Sequence, residues 1–413
     1  MKKISAAIIF FLFIKVFASA NVYTTTTVNI WHSFRENEEK SLSYLVKKFN
    51  LIHPDYNVIL KRVDSDSFAT IIENNYSKPD GPDIFIWAHD RLGDWAEKKI
   101  ALPIGKLISF TVLSEYIKSS IKALTYKNNL YGLPFSIECV ALFYNKKHLS
   151  NPPVSFEQLV NQSESFIKSG NEKYGLLYAY DDYYFHSILL HSYGGATFTP
   201  DHKYNLDSAE MKKSLELSSI LFKKKIIPVV PEGKNLWDYQ LSLFNNGNLL
   251  FLISGPWIIG SLKTKDWGVT VLPKFDDKHY MQPFLGVKGL FLTNKKRTDV
   301  LIKKIINVME YLSSGESGAI MGNVGGYLPA NITAYNDDVL KDNSAALVFR
   351  DQSIKSYPMP NIPEMSLIWK IMNNKSTLEF GILRLTQTGK INPENAVKKA
   401  KQQFYNLLNN NRK

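Results

Sequence analysis

A single cysteine, Cys139, stands among the 413 residues. That scarcity excludes an internal disulfide and any cluster of thiolate metal ligands. Long hydrophobic runs are also scarce. The apolar stretch from Ile4 to Ile14 supplies about half of the roughly 20 residues a bilayer-spanning helix needs, Lys15 interrupts it, and no later stretch is longer and as apolar. Catalytic signatures are missing as well: there is no Gly-x-Ser-x-Gly elbow, no His-Glu-x-x-His, no Gly-x-x-x-x-Gly-Lys and no Gly-x-Gly-x-x-Gly following a strand. The eight histidines show no metal-ligand spacing. No Gly/Ser-rich or Pro-rich linker divides the chain, and Asn409-Asn410-Asn411 is the one low-complexity segment.

The beginning of the chain carries a pattern of its own. Lys2 and Lys3 precede the Ile4–Ile14 apolar run, and Ala18-Ser19-Ala20 provides small residues for cleavage. This reads as a signal peptide over residues 1–20 and predicts a periplasmic protein. Asn21, not cysteine, follows the cleavage point, so the reading is of a freely diffusing protein. Removing the three lysines of the signal lowers the formal charge from +12 to +9. The remaining lysines are spread over predicted helix surfaces (Lys223–Lys225, Lys303, Lys304, Lys398, Lys399, Lys401). Such scatter speaks for solvated faces and against a nucleic-acid track, while a surface adhesin using the basic face stays as a runner-up.

Hydrophobic periodicity points to an α/β protein. Thr27–Trp31 alternates, Leu42, Leu45, Val46 and Phe49 recur at helical spacing, Asn57–Val63 is strand-like, and Asp83–Trp87 is a further strand. Strands alternating with helices predict a parallel sheet, with ligands beyond the carboxyl ends of its strands, where Trp31 and Trp87 sit. A second alternation follows Leu142, with helices near Phe156–Lys168 and Ala209–Lys224 and strands near Leu249–Ile253 and Gly268–Leu272. Aromatics at 13% support two cores. Two α/β lobes without a linker are most simply built by a chain that crosses between them on continuous strands, and such crossings make hinges. The last helix opens on Asn392 as cap with Pro393 at its first position.

Aromatic residues accompany carboxylates at predicted strand ends and turns: Trp87 with Asp90 and Arg91, Asp182 with Tyr183 and Tyr184, Trp257 after Gly255-Pro256, and Trp369 after a Pro-rich turn. Sugars suit this pairing. A pyranose presents C–H faces to flat rings and a belt of hydroxyls to carboxylates, arginine and amides. Glu138 and Asp182 could instead be the acid and nucleophile of a glycosidase, which is the enzymatic alternative. His89 beside Asp90 reads as a structural histidine, and Cys139 as a buried spacer.

Gly81-Pro82-Asp83-Ile84-Phe85-Ile86-Trp87-Ala88-His89-Asp90-Arg91 closely resembles the maltose/maltodextrin-binding proteins of bacterial ABC importers. Further segments follow in order: Tyr131-Gly132-Leu133-Pro134 through Glu138, Tyr144-Asn145, Asn151-Pro152-Pro153, Gly255-Pro256-Trp257, Gly268 to Pro273, and Met359-Pro360-Asn361-Ile362-Pro363 to Trp369. The resemblance runs from about Thr27 nearly to the end. It implies a type II periplasmic-binding-protein fold whose two lobes close on a linear α-glucan, with no cofactor or metal, no catalysis, and the membrane permease as partner of a monomer.

Transferred position by position, the resemblance makes Trp87, Tyr184, Trp257 and Trp369 stack on sugar rings, and Asp90, Arg91 and Glu138 bond hydroxyls. It also marks departures. Asp182 stands where the family usually has glutamate, Arg35-Glu36 reverses the charge order of an adjacent acid and lysine, Asp64 and Asp66 represent acidic positions after the second strand, and Asn373 replaces an arginine. The expected lobes are residues 21–136 plus 288–338 and 137–287 plus 339–413. The crossings fall near Ser136–Cys139, Gly286–Gly289 and Asn336–Leu340.

Overall fold

The computed structural model describes residues 25–34, 36–65, 67–231, 233–325, 327–373 and 381–410. The signal-peptide reading, Arg35 and Asp66 lie outside the described residues. In chain order the strands are β1 (Thr26–His32), β2 (Tyr56–Arg62), β3 (Ile84–Ala88), β4 (Thr125–Tyr126), β5 (Asn129–Leu130), β6 (Gly132–Glu138), β7 (Ala141–Asn145), β8 (Tyr174–Leu177), β9 (Leu249–Ser254), β10 (Trp267–Thr270), β11 (Phe284–Leu292), β12 (Leu328–Pro329) and β13 (Tyr357–Pro358). They form one sheet in the order β12-β6-β11-β3-β1-β2, with β13 beside β11, a second in the order β10-β7-β9-β8, and a small β4–β5 hairpin.

The first sheet is mixed, which corrects the expectation of a parallel one. β1 runs parallel to β2 and β3, but β11 runs antiparallel to both β3 and β6. In the second sheet β8 and β9 are parallel, while β7 opposes β9 and β10. The physical reason lies in how each strand arrives. A helical crossover returns the chain to the same sheet edge and enforces parallel pairing, as between β1 and β2. β6 and β11 connect directly to the other sheet, so no local crossover fixes their direction.

Local sequence explains the frame. Leu42, Leu45, Val46 and Phe49 are all buried on one face of the helix Glu36–Ile52, which covers the first sheet. β11 is buried at every position except Lys288, as befits a strand covered on both faces. Asp83 anchors the start of β3: one carboxylate oxygen accepts the Asn29 N–H at 2.9 Å and the other the Arg297 guanidinium at 2.7 Å.

Only Cys139 and Val140 separate β6 from β7, and both are fully buried, so one strand passes almost straight from sheet to sheet. β11 lies beside β6 with Gly286 opposite Glu138, and the register shifts between Lys288 and Gly289. Near the third expected crossing, a 3-10 helix over Ile332–Asn336 leads into a short helix over Asp338–Lys341. A separate core gathers Tyr183, Phe284, Met365, Ile368 and the final helix Pro393–Asn410, whose Ala396, Ala400 and Phe404 face inward. Asn392 caps that helix, accepting the Asn395 N–H at 2.8 Å. Among the described residues no helix is long and apolar enough to cross a membrane.

Candidate functional site

The end of β6 delivers Glu138 to a cavity of about 230 Å³ shared with Glu38, Trp257, Lys288, Tyr327 and Leu328. The Lys288 ammonium pairs with Glu138 Oε1 at 2.5 Å and donates to the Tyr327 hydroxyl at 3.1 Å. It also lies over the rings of Tyr327 (4.7 Å) and Phe34 (5.5 Å). Burial, with Glu38 and Glu138 nearby, pushes the Tyr327 phenol well above its usual value, so its hydroxyl stays protonated.

Trp257 comes to this cavity from the other sheet, at the second position of the 3-10 helix Pro256–Ser261 that follows β9. It is 43% exposed, which is unusual for so large an apolar side chain and leaves a ring available for stacking. Its ring folds back over Gly255, where an added Cβ would come within 2.1 Å of it. The glycine is therefore required by the position of the indole.

At the end of β3, Trp87 stacks on Phe68 with centroids 4.4 Å apart and planes 10° from parallel. His89 is fully buried. Its Nδ1 accepts the Val287 N–H at 3.0 Å and its Nε2 donates to the Met359 carbonyl at 3.0 Å. Those partners fix the neutral Nε2–H tautomer, and burial holds the imidazole below its ordinary value. The histidine thus clamps β11 to the Met359 segment, in keeping with a structural role.

Asp90 follows in the turn His89–Arg91. Burial pushes its carboxyl up, opposed by His89, by Arg91 and by the Trp369 indole N–H. Its Oδ1 is buried with no hydrogen-bond partner among the described residues. A buried acceptor without a partner calls for an explanation, and a bound group that completes the bonding is one. Arg91, half-buried beside it, makes no hydrogen bond or ion pair among the described residues.

Asp182 caps the helix Tyr183–Ser192, accepting the Tyr184 N–H at 3.0 Å. Asn373 donates to the same carboxylate oxygen at 2.9 Å. The Tyr184 hydroxyl donates to the carbonyls of Glu138 (3.3 Å) and Phe284 (3.4 Å), tying this helix to β6 and β11. Trp369 packs its ring at steep angles against Tyr183 and Phe284, with centroids 6.0 and 6.2 Å apart.

The structure therefore joins residues distant in sequence. Glu138 and Trp257 share one cavity, Tyr184 reaches Glu138, Trp369 reaches Asp90, and Trp87 sits opposite Gly289, next to Lys288. Asp64 lies apart, exposed beyond the end of β2, and Glu36 opens the helix that follows β1. Trp31, at the end of β1, is buried beneath the Lys61 ammonium, 4.1 Å from its ring centroid. Sequence reasoning missed Lys288, Tyr327 and Glu38. A signal for the first was available: Lys288 is the only charged residue in the apolar strand FLGVKGLFL.

Cys139, immediately after Glu138, is fully buried and donates weakly to the Phe349 carbonyl at 3.5 Å. Burial pushes its thiol up to about 12, which makes it unreactive. Among the described residues no group of three or more His, Cys, Asp or Glu side chains is arranged to hold a metal ion.

With this geometry in hand, comparison with known proteins is informative. The sequence profile of a family described as bacterial extracellular solute-binding protein matches residues 35–310. A maltotriose-binding protein of Pyrococcus abyssi is 28% identical over 360 residues, spanning 83% of this chain and 75% of the relative. A galactooligosaccharide-binding protein of Bacillus subtilis is 27% identical, spanning 78% and 75%. A solved cyclo/maltodextrin-binding protein complexed with maltotetraose superposes with a TM-score of 0.81 at 27% identity, covering 93% of this chain and 97% of that one. The fold is the two-lobe, type II periplasmic-binding-protein architecture.

Proposed function

We propose that this chain, which belongs to the bacterial extracellular solute-binding protein family, captures a maltodextrin outside the cytoplasmic membrane and delivers it to the membrane subunits of an ABC importer. It does so as a monomer, without a cofactor and without cleaving the sugar. The observation that carries this reading is the cavity in which the exposed Trp257 ring meets the Glu138 carboxylate. A carboxylate beside an exposed indole matches a sugar hydroxyl on a ring that offers its C–H face to an aromatic side chain, and Asp90, bonded by the Trp369 indole, repeats the pairing.

In this reading Asp90, Arg91 and Glu138 bond hydroxyls, while Trp87, Tyr184, Trp257 and Trp369 supply stacking faces. Asp182, Glu36, Asp64, Arg35 and Asp66 are further candidate ligand contacts, Arg35 and Asp66 lying outside the described residues. One lobe comprises residues 21–136 plus 288–338, and the other residues 137–287 plus 339–413. A ligand bridging them favours the closed arrangement by its differential affinity for it. The relative that binds maltotriose and the solved structure holding maltotetraose support the α-glucan.

A second reading is favoured by the galactooligosaccharide-binding relative at nearly the same identity: a β-linked galactooligosaccharide as ligand. Isothermal titration of the secreted protein with maltotriose, maltotetraose and galactotriose decides between the two. Binding of the glucans below millimolar concentration, with intact sugar recovered afterwards, is expected. Binding of galactotriose alone would install the second reading, and released monosaccharide would install a glycosidase.

A further inference from the structure

Lys288 stands alone as a charge within β11, whose other eight residues are apolar or glycine and buried. A lysine costs such a strand a buried charge, so its environment should say what it is for. Its ammonium meets Glu138 Oε1 at 2.5 Å and the Tyr327 hydroxyl at 3.1 Å, and lies between the Phe34 and Tyr327 rings. The two paired side chains are only 21% and 26% exposed. They also stand on the two strands that connect the sheets, for Lys288 lies opposite Ser136 and Glu138 opposite Gly286 in the β6–β11 register.

We infer that Lys288 is a positioning residue of the sugar cleft: by holding one oxygen of Glu138, it keeps that carboxylate aimed, with the second oxygen left to accept a ligand hydroxyl. The inference rests on the cleft assignment made above. Among the described residues, the other titratable groups whose electrostatics involve Glu138 or its cavity are acidic, phenolic, neutral or a thiol. Glu38 lies across the cavity, Tyr327 and Tyr184 stay protonated, His89 is held neutral by burial, and Cys139 is a buried thiol. Lys288 is thus the one cation in that set. Without it, Glu138 would lose the ammonium that fixes its Oε1 and would be free to rotate out of the site. Arranged as it is, the pair presents a neutral sugar with a strong acceptor at fixed geometry.

Two measurements test this. In the first, maltotriose is titrated into wild type, Lys288→Met, Glu138→Gln and the double variant between pH 5.5 and 8.5. Lys288→Met is expected to weaken binding about tenfold, as for loss of a charge-assisted hydrogen bond. The loss should be absent when Glu138→Gln is already present. Additive losses in the double variant would overturn the inference. In the second, crystal structures of the sugar-free wild type, Lys288→Met and Lys288→Arg are compared. The Glu138 carboxylate should leave its place beside β11 in Lys288→Met and regain it in Lys288→Arg. An unmoved carboxylate sinks the positioning role whatever the sugar result. Conversely, a moved carboxylate in a protein that binds no oligosaccharide would condemn the proposed function and leave the pair standing.

Discussion

Asp182 and Asn373 hydrogen-bond to one another across 191 positions of sequence, Asn373 Nδ2 donating to Asp182 Oδ1 at 2.9 Å. The Tyr183 N–H donates in turn to Asn373 Oδ1 at 2.7 Å, and the Tyr184 N–H to the same Asp182 oxygen at 3.0 Å. These two residues therefore act as one device, a shared N-cap for the helix Tyr183–Ser192. Asn373→Ala should cost about 1–2 kcal/mol, because it strands a buried backbone donor. Asp182→Ala should cost about 1 kcal/mol. In urea denaturation the double variant should lose less than the two single losses combined.

Gly255 and Trp257 give a test of stacking that separates affinity from stability. A Cβ at Gly255 would lie 2.1 Å from the Trp257 ring and displace it. Gly255→Ala should therefore weaken sugar binding nearly as much as Trp257→Ala, by about 1 kcal/mol or more. Because Trp257 is 43% exposed, its removal should leave the melting temperature almost unchanged. Titration calorimetry beside thermal unfolding would show both effects, and unaltered affinity in both variants would remove Trp257 from the site.

Stability should fall steeply on mild acidification. Burial holds His32 at about 4, His186 at about 3 and His191 at about 4, and it also lowers His89. The unfolded chain protonates these groups near their ordinary value of about 6.5, while the folded chain keeps them neutral. The unfolded state then binds more protons. Each group's contribution is complete above that pH and declines by about 1.4 kcal/mol per pH unit below it, until its folded value is reached. Denaturant midpoints measured from pH 8 to 4.5 should show the decline, and His186→Gln should make it shallower.

Arg297 is the other buried ion-pair position to probe. Its guanidinium reaches Asp83 Oδ1 at 2.7 Å, the Thr293 carbonyl at 2.7 Å and the Lys295 carbonyl at 3.2 Å, with a side chain 2% exposed. Arg297→Ala leaves the buried Asp83 carboxylate with only the Lys295 ammonium, at 3.5 Å, as counter-charge and should destabilise the protein by up to about 3 kcal/mol. Arg297→Lys should recover only part of this, since one ammonium cannot reproduce the fork of donors. Equilibrium unfolding of the two variants provides the comparison.

Cys139 should be silent to thiol reagents in the native protein, given a thiol pushed up to about 12 and full burial. Ellman's reagent is expected to react only after denaturant is added. Rapid labelling of the native form at pH 8 would contradict the packing at the β6–β7 junction.

Much of the frame was legible in the chain itself. The helical stripe Leu42, Leu45, Val46, Phe49, the Asn392 cap and the strands near Asp83–Trp87 and Leu249–Ile253 fall where the periodicity puts them, because each is encoded by neighbours within a few residues. Strand direction was not. The sheet is mixed because β6 leaves for the other sheet and β11 returns from it, a relation between segments some 150 residues apart that no local pattern records. The site divides along the same line. Trp87, Asp90, Glu138, Trp257 and Trp369 carry local motifs, whereas Lys288 and Tyr327 become partners of Glu138 only through the β6–β11 register and the fold around it.

By itself, the sequence determined the class of protein and the kinds of side chain that line its cleft, since hydrophobic period, turn chemistry and residue type are local properties. Tertiary structure alone decided which of those groups are already engaged. Asp182 is bound up in a helix cap, His89 in a clamp between β11 and Met359, and Glu138 in an ion pair, while Asp90 Oδ1 has no donor among the described residues. A hydrogen bond is satisfied or not by atoms within about 3 Å, and which atoms those are depends on how distant parts of the chain are brought together.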